Sequence, residues 1–208
     1  MSFPTSIWTT IRALRKDPER VKDEVVRRYS APVCEFIRKQ GFSPEDSEDL
    51  TQDVFLRVCS EEFLEKVDPR KGRFRALLLA VTRNVVSAFR RRELAPTRDR
   101  RKTVALEGFD IPVEAEADPD FDRLWTKNLM AQAMRRMRSD AATSALKLQL
   151  EGRKYGEIAL RLSKSETEVT NYIHRAKKRL RAQIESLIRE YSGDDLVRAE
   201  IADLVKYL

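Results

Sequence analysis

Apolar residues recur along this chain at intervals of three and four, the spacing that lines up one face of an α-helix. The clearest stripe is Phe74, Leu77, Leu78, Val81, Val85, Ala88 and Phe89, which predicts a buried helix ending before Pro96. Its predecessor opens at Ser43-Pro44-Glu45-Asp46. There Ser43 can cap free amides, Pro44 suits the first turn, and the acids favour the positive end of the helix dipole. Leu50, Val54 and Val58 share the inner face of that helix. Upstream, Asp17-Pro18-Glu19 opens a helix whose stripe is Val21, Val25, Tyr29, Val33 and Phe36, and Pro32 is expected to kink or break it. A short helix bearing Ile7, Trp8, Ile11 and Leu14 is expected before it.

From Pro96 to about Pro119 the periodicity is lost, which predicts a linker. A second helical set begins at Asp118-Pro119-Asp120 and runs through Leu124, Trp125, Leu129 and Met137. Ser139-Asp140 opens another helix ending near Gly152, and a short one with Ile158, Ala159 and Leu162 follows. After Ser163-Lys164-Ser165 comes a long helix, with Ser165 and Glu168 spaced as a capping box. Short helix, tight turn and long basic helix describe a helix-turn-helix. Past Ser192-Gly193-Asp194, a last stripe of Val197, Ile201, Leu204, Val205 and Leu208 is expected to pack on the domain that precedes it. The fold class is therefore all-α: two helical domains joined by a linker, the second containing the helix-turn-helix. The boundaries read as 1–95, a linker at 96–118, the helix-turn-helix domain at 119–185 and a C-terminal extension at 186–208.

Charge changes this picture. The 208 residues carry 41 Lys+Arg against 34 Asp+Glu, a formal net charge of +7, and the charged fraction of 36% exceeds the roughly 25% of an average domain. The excess is blocked rather than spread. Ser43 to Asp53 holds five acids and no base, Arg83 to Lys102 eight bases against two acids, Val104 to Asp122 seven acids and no base, and Asn171 to Ile184 five bases and no acid. Alternating blocks fit a protein that bridges partners of opposite charge. The longest apolar run, Ala76 to Val81, is too short to span a membrane, and Met1 to Lys16 shows no secretory signal, so a cytoplasmic protein without membrane insertion is expected. Cys34 and Cys59 read as two buried free thiols, and a single histidine, His174, argues against a metal site. No phosphate loop, nucleophile motif or cofactor motif is visible, so neither an enzyme nor a cofactor is expected.

On the long helix, Val169, Ile173, Ala176 and Leu180 should pack inward, leaving Thr167, Thr170, Asn171, His174, Arg175, Lys177, Lys178 and Arg181 outward. Thr167, Thr170 and Asn171 lie in the early turns, where side chains reach base edges; Lys177, Lys178 and Arg181 suit phosphates.

Two further stretches carry a resemblance. Asp49-Leu50-Thr51-Gln52-Asp53-Val54-Phe55-Leu56-Arg57-Val58, then Asp68-Pro69-Arg70-Lys71-Gly72-Arg73-Phe74-Arg75-Ala76-Leu77-Leu78 and Thr82-Arg83-Asn84, resemble the second domain of extracytoplasmic-function sigma factors. Tyr155-Gly156-Glu157-Ile158-Ala159, Val169 and His174-Arg175-Ala176-Lys177-Lys178-Arg179-Leu180 are similar to that family's fourth domain. Together the matching stretches span roughly residues 20 to 93 and 121 to 184, in the family's order. The resemblance implies a non-catalytic subunit that binds core RNA polymerase, directs it to promoter DNA and assists strand separation. By position it implies a polymerase-docking set of Asp49, Leu50, Asp53, Phe55 and Arg57. It also implies a minus-ten set of Arg70, Lys71, Arg73, Arg75, Asn84 and Arg91, with the long helix reading a minus-thirty-five element. A pocket edged by cationic side chains can hold an unstacked base and its backbone; Phe74, which begins the apolar stripe, reads as core instead. Leu77 stands where the family usually has Trp, Ala88 where Asp is common, and Ser163 where the turn usually has Gly. Lys164 replaces an apolar residue and Tyr172 an often basic one.

The residues also admit other readings. A helix-turn-helix regulator that does not engage polymerase explains the second half and leaves Asp49 to Asn84 unexplained. The acidic linker reads equally as a segment threading the polymerase's positively lined channels or as a solvating tether. For the C-terminal extension, docking of an anti-sigma protein or self-inhibition is the minority reading.

Overall fold

The computed structural model describes residues 18–60, 63, 74–94, 118–191 and 194–205. The expected helix at Ile7 to Leu14, the loop carrying Arg70, Lys71 and Arg73, and the linker up to residue 117 lie outside them. Among the described residues every regular element is an α-helix: α1 Pro18–Lys39, α2 Pro44–Val58, α3 Phe74–Leu94, α4 Pro119–Arg136, α5 Ala141–Leu150, α6 Tyr155–Leu162, α7 Glu166–Tyr191 and α8 Asp194–Val205. No helix here is long and apolar enough to cross a membrane among the described residues.

The chain divides into two compact units, Met1–Asn128 with Glu190–Leu208, and Leu129–Arg189. The divide falls inside α4 rather than at the linker, and the tail belongs to the first unit rather than to the helix-turn-helix domain before it. The reason for the first difference is aromatic. Phe121 and Trp125, in the first turns of α4, are fully buried. Trp125 stacks on Tyr29 of α1 at 5.2 Å with the rings 4° from parallel, and Phe121 meets Phe36 edge-on at 5.3 Å. Phe74 of α3 joins the cluster at 5.2 Å from Tyr29, so it is core, as its place in the stripe predicts. Such pairs add about 0.5–1.5 kcal/mol each beyond the area they bury. Around them α1, α2 and α3 pack through Val25, Val33, Ile37, Leu50, Val54, Val58, Leu78, Val81 and Val85.

Of the two outcomes expected at Pro32, a break does not occur: α1 runs through it. A proline lacks the N–H that would satisfy the carbonyl four residues back. That carbonyl belongs to Arg28, and it accepts a hydrogen bond from Asn128 Nδ2 at 3.0 Å. The orphan is therefore resatisfied from α4. Neither cysteine is in a disulfide; Cys59 is buried as expected, and Cys34 is only half-buried, at the margin of the α1 stripe.

The second unit is built from local signals. Asp140 caps α5, accepting from Thr143 N–H at 2.9 Å, and Gly152 closes it at φ +83°. The Ser165–Glu168 capping box forms in both directions, at 3.0 and 3.2 Å. Ala145, Leu148, Ile158, Ala159, Val169 and Ile173 make the core, with Leu162 and Tyr172 packed against it. Ala176 and Leu180 are buried as the spacing predicts. At Gly156 a Cβ would stand 3.1 Å from Glu166 Oε1, the end of an exposed side chain at the start of α7.

Two of these contacts give stability tests. Asn128→Leu should cost about 1 kcal/mol in urea unfolding by orphaning the Arg28 carbonyl; an unchanged midpoint would reject that role. The Asp140 carboxyl is held at about 2, against an ordinary 3.8, first by the Thr143 N–H and then by Arg179, whose Nη1 lies 2.5 Å away. A lowered folded value stabilises fully above the ordinary value and is lost as pH falls through the folded one. Asp140→Ala should thus lose about 1 kcal/mol at neutral pH. Its deficit in thermal unfolding should shrink as pH drops from about 4 toward 2.

Candidate nucleic-acid interface

The helix-turn-helix places one polar face outward. Thr167, Thr170, Asn171, His174, Arg175, Lys177, Lys178 and Arg181 are all exposed, while the alternating Val169, Ile173, Ala176 and Leu180 anchor α7 from behind. The early turns carry the short polar side chains. Thr170 Oγ1 bonds back to the Glu166 carbonyl at 2.9 Å, which fixes its rotamer. Glu168 is spent on the cap: the Ser165 backbone N–H, then its hydroxyl, holds the carboxyl below its usual value. Farther along, the Arg175 guanidinium lies over the Tyr172 ring at 5.0 Å, which orients it by cation–π attraction. Arg181 pairs with Glu185 at 3.0 Å on an open surface, a contact weak enough for a phosphate to displace. Arg179, not picked from the sequence, is exposed but engaged with Asp140.

The turn before α7 has a feature of its own. Ser163 sits at φ 52°, ψ 51°, the left-handed region. Ser163 N–H donates to Leu160 C=O at 3.3 Å and Lys164 N–H to Ala159 C=O at 2.9 Å, closing α6 in the manner of a glycine-terminated helix. Serine there carries a steric cost that glycine does not.

On α3 the predicted minus-ten residues separate. Arg91 is exposed and Asn84 half-buried on the outer side of the helix. Arg75 is a correction: it is 7% exposed, and its guanidinium is bound by Asp122 of α4 and Glu200 of α8. Position 75 adjoins Phe74 and shares a turn with Leu78 and Leu79, which carries the side chain inward. Arg90 lies over Phe42 at 5.1 Å, and Arg83 pairs with Asp118 at 2.9 Å. The last acids of the acidic block are thus committed to the first unit: Asp118 to Arg83, Asp120 to Lys39 at 3.7 Å and Asp122 to Arg75.

The acidic start of α2 also divides. Asp49 is exposed and Asp53 and Arg57 half-exposed, but Leu50 and Phe55 are 2% and 4% exposed. They hold the helix to the core and do not reach its surface, because Leu50, Val54 and Val58 make an i, i+4, i+8 stripe that Phe55 flanks. Leu56 is 70% exposed beside Asp53 and Arg57 and joins the outer face. Its sequence signal is a leucine out of phase with the buried stripe.

Residues 25–94 match the model of Sigma-70 region 2, and residues 127–180 match that of Sigma-70 region 4. The two in this order take up more than half of the chain. The chain belongs to the sigma-70 family. It is 27% identical over 165 residues to the ECF RNA polymerase sigma factor SigE of Mycolicibacterium smegmatis, a match covering 76% of this chain and 60% of that protein. Within this sigma-70 chain, region 2 takes in α2, α3 and most of α1, and region 4 takes in the helix-turn-helix. Neither match reaches α8.

Ser163→Gly should stabilise the chain by about 1 kcal/mol in urea unfolding, since glycine occupies the left-handed region without the Cβ clash. A loss of stability would show that the serine side chain is needed at the turn.

Proposed function

We propose that the protein is an alternative sigma factor of the extracytoplasmic-function type, acting in the cytoplasm. It binds core RNA polymerase, brings it to particular promoters and assists strand opening, with no catalysis of its own. The observation that carries this reading is the pairing of regions 2 and 4 on one chain, each presenting a charged outer face. A helix-turn-helix regulator alone would leave the region 2 helices without a purpose.

The division of labour follows from charge. The outer face of α2, with Asp49, Asp53, Leu56 and Arg57, complements a basic partner surface and is assigned to polymerase docking. The outer face of α3, with Asn84 and Arg91, and the preceding loop with Arg70, Lys71 and Arg73 are assigned to the minus-ten element. The outer face of α7 is assigned to the minus-thirty-five element: Thr167, Thr170 and Asn171 at base edges, His174 and Arg175 beside them, and Lys177, Lys178 and Arg181 on phosphates. An anti-sigma protein is a further candidate partner, since whatever covers the α2 face would exclude polymerase.

Purified protein mixed with core polymerase and a promoter library should form a holoenzyme that starts transcripts core alone does not; no holoenzyme, or transcription equal to core alone, would sink the reading. Asp49→Lys with Asp53→Lys should weaken polymerase binding at least roughly tenfold without changing helix content. Replacing Lys177 and Lys178 by Ala should weaken promoter binding across sequences and lower the slope of log K against log salt by about 2.

A further inference from the structure

Within the second unit, α6 carries an apolar side chain that the packing of the unit does not use. Its neighbours Ile158 and Ala159 are buried in the core, yet Leu160 is 85% exposed, the most open of the large apolar side chains among the described residues. It does not stand on a bare surface. Leu148, Arg153, Glu157, Ile158, Leu160 and Arg161 line one open groove of about 500 Å³. Leu148 and Ile158 are buried members of the unit's own core, so the groove has a firm apolar floor. All six residues come from α5, α6 and the turn between them. None belongs to α7, whose outer face is assigned to DNA.

The groove is also cationic. Arg153 and Arg161 are exposed, and among the described residues neither guanidinium has a hydrogen-bond or ion-pair partner. Its one carboxylate has a local use: Glu157 Oε2 accepts from the Lys154 N–H at 3.1 Å and caps α6. Two uncommitted guanidiniums and an open leucine over an apolar floor are the complement of a chain segment that presents carboxylates and an apolar side chain together. Nucleic acid fits less well, because phosphates satisfy the arginines and leave the leucine in water. A small molecule needs walls on most sides, and a wall whose leucine is 85% exposed does not supply them.

We propose that this groove is a docking site for an acidic segment of a partner protein. Leu160 buries against an apolar side chain of the partner, and Arg153 and Arg161 pair with its carboxylates. Leucine burial supplies affinity, while the planar forks of the arginines fix the orientation of the segment. The partner and DNA thus have separate surfaces on the same small unit. The site goes beyond the reading of the chain as a sigma factor and does not require that α7 read a promoter.

The test pans a phage-displayed library of random linear peptides on the full chain and measures the enriched peptides by fluorescence anisotropy. They should combine Asp or Glu with Leu, Ile or Phe. Acidity alone decides nothing on a chain of net charge +7, so the variants carry the result. Leu160→Ser changes no charge and falls at an exposed position; it should weaken peptide binding at least roughly tenfold with helix content unchanged. Arg153→Ser with Arg161→Ser should do the same. Arg135→Ser with Arg138→Ser, which removes two exposed cations of α4 and the turn after it, should not. No enrichment, enriched peptides indifferent to Leu160→Ser, or an equal loss from both arginine pairs would overturn the site. A fluorescein-labelled DNA duplex of mixed sequence covers the remaining case. If loss of Arg153 and Arg161 weakens binding of the duplex and not of the peptides, those cations serve phosphates and the docking site is wrong.

Discussion

A guanidinium cannot be buried alone. Moving a unit charge out of water costs several kcal/mol even after relaxation, and removing one partner of a buried pair typically costs about 3–5 kcal/mol. Arg75 is buried at the start of α3, so its carboxylates are an obligation of the fold rather than an ornament. They arrive from α4 and α8, elements far from it in sequence and from each other. Segments on both sides of the helix-turn-helix unit are thereby tied to the start of α3.

The aromatic cluster and the ion pairs divide the work. Tyr29, Phe36, Phe74, Phe121 and Trp125 supply most of the attraction that draws α4 onto α1 and α3, but stacked rings tolerate small slips. The buried Arg75–Asp122 pair is less tolerant. Asp118, Asp120 and Asp122 alternate along the start of α4 and each meets a different cation, Arg83, Lys39 and Arg75, which fixes the register of that helix end. The acidity that looks like a property of the linker is, at its C-terminal end, a set of positioning contacts.

Elements whose signals are local were legible in the sequence. The Ser43 cap of α2, the Ser165–Glu168 box and the inward set Val169, Ile173, Ala176 and Leu180 all depend on residues within a few turns of each other. The outward face of α7 follows from the same periodicity. What periodicity could not show was which charged residues sit in phase with the core. Glu200 lies between Val197 and Leu204 at helical spacing, and Arg75 beside Phe74, yet a stripe drawn from apolar residues passes over both. Leu50 and Phe55 were misplaced for the opposite reason: position within a motif says that a residue matters, not which way it points. The continuity of α1 through Pro32 was not legible because the compensation, Asn128, comes from a helix about a hundred residues away.

The discontinuity of the first unit also orders events in time. Translation delivers α1, α2 and α3 first and then the whole of Leu129–Arg189, before α8. Glu200 is made after that unit, so until α8 is in place the buried arginine of the first unit lacks one of its anions. Late, long-range closure of this kind is slow relative to local helix packing. Completion of the first unit therefore waits on a segment made after the whole of Leu129–Arg189.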